Sequence, residues 1–312
     1  MEEYINEQHR YYTLNYYLKK KFNDKVFKVA LNGGFTCPNR DGKISTKGCI
    51  FCSPSGSGDF AGNRNDSLEK QFNEVKDVIH KKWPKAKYIA YFQANTNTYG
   101  PIEKLRKIFY EAINHHPDIV ALSIATRPDC LNDEVIELLD ELNKIVPVWI
   151  ELGLQTIHQN TADFINRGYK LEIFDKAVND LRNKNIDVIV HIINGLPYET
   201  KEMMLETAKY LNRFDIQGVK IHSLFILKNT LLGEIYLKEN FKILSLDEYV
   251  DITTEQLALF NKNFVIHRIN GDAPKDDLIE PIWSLKKLVV MNEIDKAMKN
   301  KNYYQGIKNV SL

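Results

Sequence analysis

KVALNGGFTCPNRDGKISTKGCIFC, from Lys28 to Cys52, opens as a strand and ends as a three-cysteine loop. Residues 28–32 are short and mostly apolar, and Gly33 and Gly34 end the run. Cys37, Cys49 and Cys52 follow with the spacing C-x11-C-x2-C. Asn39, Arg40, Asp41, Gly42, Lys43 and Gly48 make the intervening segment a loop rather than a core strand. Three thiols therefore meet at the carboxyl end of a strand, where a parallel α/β barrel carries its active site. A structural zinc site has four protein ligands, usually in two close pairs, and the first pair is missing here. Ordinary electron-transfer iron–sulfur clusters take four cysteines. A four-iron cluster on three cysteines leaves one iron open to a small molecule, which fits the count. Zinc with a remote fourth ligand such as a histidine, or three buried small side chains, are the alternatives. Cys130 lies far downstream and is expected to be dispensable.

Outward from this loop, short apolar runs alternate with longer amphipathic ones. Strands are expected at 28–32, 88–93, 119–125, 148–154, 187–193 and 219–224. Helices are expected at 68–81, 102–114, 133–144, 171–184 and 201–213. Such alternation predicts βα units on a parallel sheet, with nearly continuous apolar strands covered on both faces. The expected fold is α/β, a partial parallel (β/α)6 barrel; a doubly wound sheet is the other topology this periodicity allows. Residues 1–27 read as a basic, aromatic N-terminal segment, 28–240 as the barrel, and 241–312 as a C-terminal extension and lid. Within the extension, 246–261 and 285–300 read as helices, 264–269 as a late strand, and 270–283 as a turn-rich stretch.

The 312 residues are 44% hydrophobic and 27% charged, which excludes disorder, collagen-like repeats and mucin-like stalks. Forty-two Lys and Arg against forty-one Asp and Glu exclude a globally basic nucleic-acid binder, though not a local basic face. Four cysteines are too few for a disulfide scaffold. No apolar run approaches the roughly 20 residues of a membrane span, and the N-terminus lacks the order of a signal peptide. The expected setting is the reducing cytoplasm, with no membrane partner.

Further motifs carry a family resemblance. CPNRDG at 37–42, GCIFC at 48–52, TRPDC at 126–130, ELGLQT at 151–156, NRG at 166–168, HIINGLPYE at 191–199 and GDAPKDDLIEPIW at 271–283 occur in this order. The chain resembles the radical S-adenosylmethionine (SAM) superfamily, and within it a small bacterial family related to the radical enzyme of the Elongator complex. The general superfamily spacing is C-x3-C-x2-C; the longer first gap belongs to this smaller family. The resemblance implies a [4Fe-4S] cluster on Cys37, Cys49 and Cys52, with SAM chelating the open iron and cleaved to a 5′-deoxyadenosyl radical. It also implies an external one-electron donor such as flavodoxin or ferredoxin.

Gln93, Asn95 and Thr96 follow the second strand, where many relatives carry a glycine-rich loop that receives the methionyl amino group; a plain Asn/Thr turn is the alternative. Glu151 and Gln155 are four apart on an otherwise apolar strand and are expected to face the same way. An unpaired buried carboxylate is costly, so Glu151 is expected either to accept from the cofactor's ribose or ammonium or to face solvent at the strand end. Arg127 is read as an ion-pair partner of Asp129 or as a clamp for a substrate anion. Arg167 and Gly168 are expected at the cofactor rim, with Arg167 on the methionyl carboxylate. His191 is read as a cofactor contact or a satisfied core residue, and Gly195 as a point of close approach to the adenine. Lys220 and His222 face the same way. Lys275, in the charged turn with Asp272, Asp276 and Asp277, is expected to reach substrate and act with the three cysteines in catalysis, a solvated loop being the alternative.

Two segments are locally basic. Residues 10–28 carry six Lys and Arg against Asp24, and 285–312 carry six Lys against Glu293 and Asp295. With Tyr11, Tyr12, Tyr16 and Tyr17 they suggest a phosphate-binding rim with stacking platforms for unpaired bases, or solvated helices with tyrosines packed inward. The resemblance implies transfer RNA as substrate. The expected reaction removes the carboxymethyl group from 5-carboxymethylaminomethyl(-2-thio)uridine at the wobble position, giving the 5-aminomethyl form that a downstream tRNA methyltransferase extends. Without a recognisable acetyltransferase segment, carboxymethyl addition is the less expected direction. A radical enzyme on a small metabolite and a non-enzymatic iron–sulfur binding module are the alternatives.

Overall fold

The computed structural model describes residues 2–6 and 8–309. Residues 1 and 7 of the expected N-terminal segment, and 310–312 of the expected C-terminal extension, lie outside the described residues. The strands of the main sheet are β1 (Val26–Leu31), β2 (Lys87–Phe92), β3 (Ile119–Thr126), β4 (Val148–Gln155), β5 (Asp187–Asn194) and β6 (Gly218–Ser223). A small second sheet uses β7 (Ile226–Leu227), and the main sheet ends on β8 (Val265–Arg268). β9 (Leu278–Glu280) pairs antiparallel with β7. The main sheet has seven strands in the order β1-β2-β3-β4-β5-β6-β8, all parallel. Strict sequential order is that of a curled half-barrel and excludes the doubly wound topology, whose strand order reverses. Six strands were expected; the seventh is the late strand of residues 264–269, recruited from the extension onto the β6 edge.

The helices are α1 (Leu14–Phe22), α2 (Leu68–His80), α3 (Ile102–Asn114), α4 (Asp133–Asn143), α5 (Gln159–Phe164), α6 (Leu171–Asn183), α7 (Lys201–Leu211), α8 (Leu231–Glu239), α9 (Leu246–Leu259) and α10 (Lys287–Asn300). Side-chain caps start several of them: Ser67 for α2, Asn132 for α4, Thr200 for α7, and a full capping box of Ser245 and Glu248 for α9. Their apolar faces and the outward side chains of the strands form the main core.

Inside the half-barrel the period of two builds layers. Val26, Ile89, Ala121, Trp149 and Ile189 form an apolar floor, and Leu18 of α1 packs into it from below. Two residues further along the same strands stand Lys28, Tyr91, Ser123, Glu151 and His191, a polar layer. α1 thus plugs the amino-terminal end of the barrel. Just before it, the Ile266 amide donates to the Tyr12 carbonyl at 2.7 Å, pairing this segment with the outer edge of β8. Among the described residues no helix is long and apolar enough to cross a membrane.

Candidate active site

A cavity of about 740 Å³ opens at the carboxyl ends of the strands, a size suited to a small-molecule site. Cys37, Cys49 and Cys52 line it, and none is in a disulfide. Their loop is held mainly by side-chain donors to backbone carbonyls. Asn166, in the left-handed region at φ 54°, donates from Nδ2 to the Gly48 carbonyl at 2.6 Å. Asn39 donates to the Asn166 carbonyl at 2.6 Å, with Cys49 Sγ 3.6 Å away. Arg40 donates to the carbonyls of Cys52, Ser53 and Pro54, fixing the segment after the last cysteine. Burial and the neighbouring Cys52 push the Cys49 thiol up to about 12. Such a thiol becomes a ligand when a metal displaces its proton.

Among the described residues no three His, Cys, Asp or Glu side chains converge on one point as ligands of a single ion. A polynuclear cluster asks for less convergence, because each thiolate takes a different iron. Three cysteines fall one short of the four ligands of a structural zinc site, whereas a four-iron cluster held by three leaves one iron open to a small molecule.

Gln93, Asn95 and Thr96 line the same cavity. Gln93 Nε2 donates to the Ser57 carbonyl at 2.9 Å, and the Asn95 amide to the Gly56 carbonyl at 2.8 Å. A Cβ on Gly56, itself at φ +68°, would fall 2.0 Å from Asn95 Oδ1, so glycine is required there. The loop after β2 thus also buttresses the segment behind the cysteines. Gln155 lines the cavity from the end of β4, at φ 69° and after a register shift, so simple alternation does not govern its direction.

Glu151 lines the cavity, but as a carboxylate already paired within the protein rather than one free for the cofactor or facing solvent. It is buried and fully engaged by protein donors. Lys28 Nζ and Ser123 Oγ reach Oε1 at 2.5 and 2.7 Å; His191 Nε2 stands 2.9 Å from Oε2, which also accepts from Lys220. Burial alone would raise its pKa, but the Lys220 and Lys28 ammonium groups and the His191 contact hold it well below the usual carboxylate range. His191 is pressed down to about 4, first by burial and then by the Lys220 charge, against the pull of Glu151. Burial, with Lys28 and Arg268 nearby, brings Lys220 to about 7. His191 still lines the cavity, but its Nε2 belongs to this network.

Three further expectations change. Arg167 borders the cavity but is almost wholly buried and donates to the carbonyls of Leu154, Thr156 and Tyr169, leaving little of its guanidinium for a methionyl carboxylate. Gly195 does not line the cavity; its Cα faces the Leu244 side chain. Lys275 is exposed outside the cavity wall, while its neighbours Asp272, Ala273 and Pro274 line it. Arg127 resolves to the ion pair: Nε and Nη2 reach Asp129 at 2.9 and 2.7 Å, and Nη1 donates to the Arg167 carbonyl. Cys130 lines a separate groove with Phe35, Tyr99 and Lys104. Lys28, Ser123 and Asn39 were not singled out as site residues. Lys28 and Ser123 are polar residues in the same strand layer as Glu151, which is the signal that marks them.

A model of the radical SAM superfamily matches residues 37–211, and one of the radical SAM C-terminal domain matches 216–300. The protein YtqA of Bacillus subtilis is 50% identical over 303 residues, covering 97% of this chain and 94% of YtqA. The tRNA uridine(34) acetyltransferase of Methanocaldococcus jannaschii is 28% identical over 185 residues, which are 58% of this chain and 33% of that enzyme. The solved Elp3 of Methanocaldococcus infernus superposes with a TM-score of 0.66 at 20% identity, over 90% of this chain and 64% of that one. With three cysteines on the wall of a half-barrel cavity and these matches along nearly its whole length, the chain belongs to the radical SAM superfamily, whose cofactors are a [4Fe-4S] cluster and S-adenosylmethionine, and within it to the YtqA-like relatives of Elp3.

Proposed function

We propose that this chain is a radical SAM enzyme acting on transfer RNA, and that it removes the carboxymethyl group from 5-carboxymethylaminomethyl(-2-thio)uridine at the wobble position to leave the 5-aminomethyl form. One observation carries it: a single cavity joins the three-cysteine wall to the layer of ionisable side chains above the apolar floor, with room for a cofactor and a splayed base. The choice of a wobble uridine follows the similarity to tRNA uridine(34) acetyltransferase. Cluster and SAM, when bound, supply a carbon radical that abstracts hydrogen.

The chain's own residues position and seclude. Cys37, Cys49 and Cys52 would hold the cluster; Gln93, Asn95, Thr96 and Gln155 offer polar groups along the cofactor's side of the cavity. Pro274, Ser284 and Leu285 line the cavity on the side of the C-terminal extension. A one-electron donor such as flavodoxin or ferredoxin, a cytoplasmic setting and a downstream methyltransferase complete the proposal.

Reduced, reconstituted enzyme should convert carboxymethylaminomethyl-uridine in whole tRNA, and do poorly on the free nucleoside. Digestion and mass spectrometry of the product RNA decide it. If no aminomethyl-uridine forms with an intact cluster, bound cofactor and authentic modified tRNA, the reaction is wrong.

A further inference from the structure

The inner wall at the β6–β8 edge gathers cationic side chains. Lys220 and Arg268 line the cavity, Lys287 stands at its rim, and Lys28 reaches the same network from β1. Glu151 takes Lys28 and Lys220, and Asp272 takes the other two: Arg268 Nη2 and Lys287 Nζ stand 3.1 and 2.9 Å from it. Each of these two carboxylates is thus shared by two cationic side chains, and burial brings Lys220 down to about 7, so its charge at neutral pH is partial. His191 and His222 add no charge, since burial holds both neutral.

The backbone turns one of these cations inward. Ile266 pairs with Val219, and both side chains pack in the outer core. Plain alternation would send Arg268 outward with Ile266. Instead the register shifts, Lys220 pairs with Arg268, and the extra residue His267 turns Arg268 to the cavity side. A bulge beside a site is a device for re-aiming a side chain.

The donors left over point to one kind of ligand. Lys220 uses two of its three N–H groups, on Glu151 and on Tyr91 Oη at 3.3 Å. His222 lies beside His191, ring centroids 5.1 Å apart, and its buried Nε2 has no hydrogen-bond partner among the described residues. A buried polar atom left without a partner is the kind of position that a ligand completes.

We propose that Lys220, His222 and Arg268 form a carboxylate-binding subsite that takes the carboxymethyl group of the modified uridine, a role that rests on the wobble-uridine substrate proposed above. A planar guanidinium and an ammonium on one wall suit a carboxylate through charge-assisted hydrogen bonds. The product, having lost that carboxylate, loses these contacts, which favours its release.

The test compares anticodon stem-loops bearing carboxymethylaminomethyl-uridine with stem-loops bearing its methyl ester, bound to the reconstituted enzyme, with product analysis run alongside. Wild type should bind the acid about tenfold tighter than the ester, the scale of one charge-assisted hydrogen bond. Arg268→Gln and Lys220→Met should abolish most of that preference, and Arg268→Lys should restore part of it. Because Lys220→Met also strips a partner from Glu151, Arg268→Gln is the primary variant. An acid-to-ester ratio unchanged in Arg268→Gln, with normal turnover, overturns the subsite and leaves the reaction standing. A ratio that depends on Arg268 while the product is not aminomethyl-uridine keeps the subsite and overturns the reaction. Loss of SAM affinity in Arg268→Gln with the ratio intact assigns the cations to the cofactor's own carboxylate and overturns the subsite.

Discussion

Glu151 has no exposed side-chain surface and binds donors from four other strands, β1, β3, β5 and β6. One carboxylate thereby compensates two lysines in the barrel interior. Removing one partner of a buried charge pair leaves the other uncompensated, at roughly 3–5 kcal/mol. Glu151→Gln keeps the shape and removes the charge, so it should destabilise the fold by about that amount. Chemical denaturation of the metal-free protein measures it. A change within about 0.5 kcal/mol, the scale of an ordinary surface substitution, would show that the lysines need no counter-ion there.

At the scale of elements, the cysteine loop has no regular structure of its own. It is held by its neighbours: the NRG segment after α5 through Asn166, Arg40 from within the loop, and Ile50, whose amide donates to Ile165 at 3.1 Å and whose carbonyl accepts from Leu232 at 2.9 Å. Apolar packing of Ile50 with Ile165, Leu196, Leu224 and Leu232 adds a second grip. With the loop held from outside the three thiols, single Cys-to-Ala changes at 37, 49 or 52 should each lose the cluster without unfolding the protein. Cys130→Ala should retain it, since that thiol lines another groove. Anaerobic reconstitution with iron counting and paramagnetic resonance checks this, and full iron loss in the Cys130 variant would redraw the ligand set.

At the scale of the molecule, the two basic segments do not form one rim. α1 closes the amino-terminal end of the barrel, opposite the cavity mouth. The tyrosines of the N-terminal segment pack together and inward: Tyr4 stacks on Tyr12 at 4.6 Å, and Tyr17 of α1 lies 6.0 Å from Trp149 of the floor. Lys20 pairs with Glu3 at 2.6 Å, and Lys21 sits over the Tyr17 ring. At the other terminus, Lys287 reaches the mouth, whereas Lys301 and Lys308 are tied to Glu255 on the side of α9. Replacing Lys19, Lys20 and Lys21 together by Gln should therefore leave tRNA affinity within about twofold and its salt slope unchanged. Each single-strand phosphate contact contributes roughly 0.7 to that slope, so a decrease near two would put α1 in the RNA footprint.

The C-x11-C-x2-C loop, the βα alternation and the position of Glu151 on an apolar strand were all legible in the amino-acid order, because spacing and period two act within one element. The same alternation marks Lys28, Tyr91, Ser123 and His191 as inward-facing residues once the layers are aligned. What meets what was decided by tertiary structure. Lys28 and Lys220 lie 123 and 69 residues from Glu151, and only the sequential strand order brings them to one carboxylate. The bulge that turns Arg268 inward depends on pairing with β6, and the burial that occupies Arg167 depends on carbonyls freed at the irregular end of β4. Local sequence sets which side of a strand a residue takes while the ladder stays regular; register shifts and long-range charge partners arise only when separate strands pack, and they decide whether a polar side chain is free for a ligand.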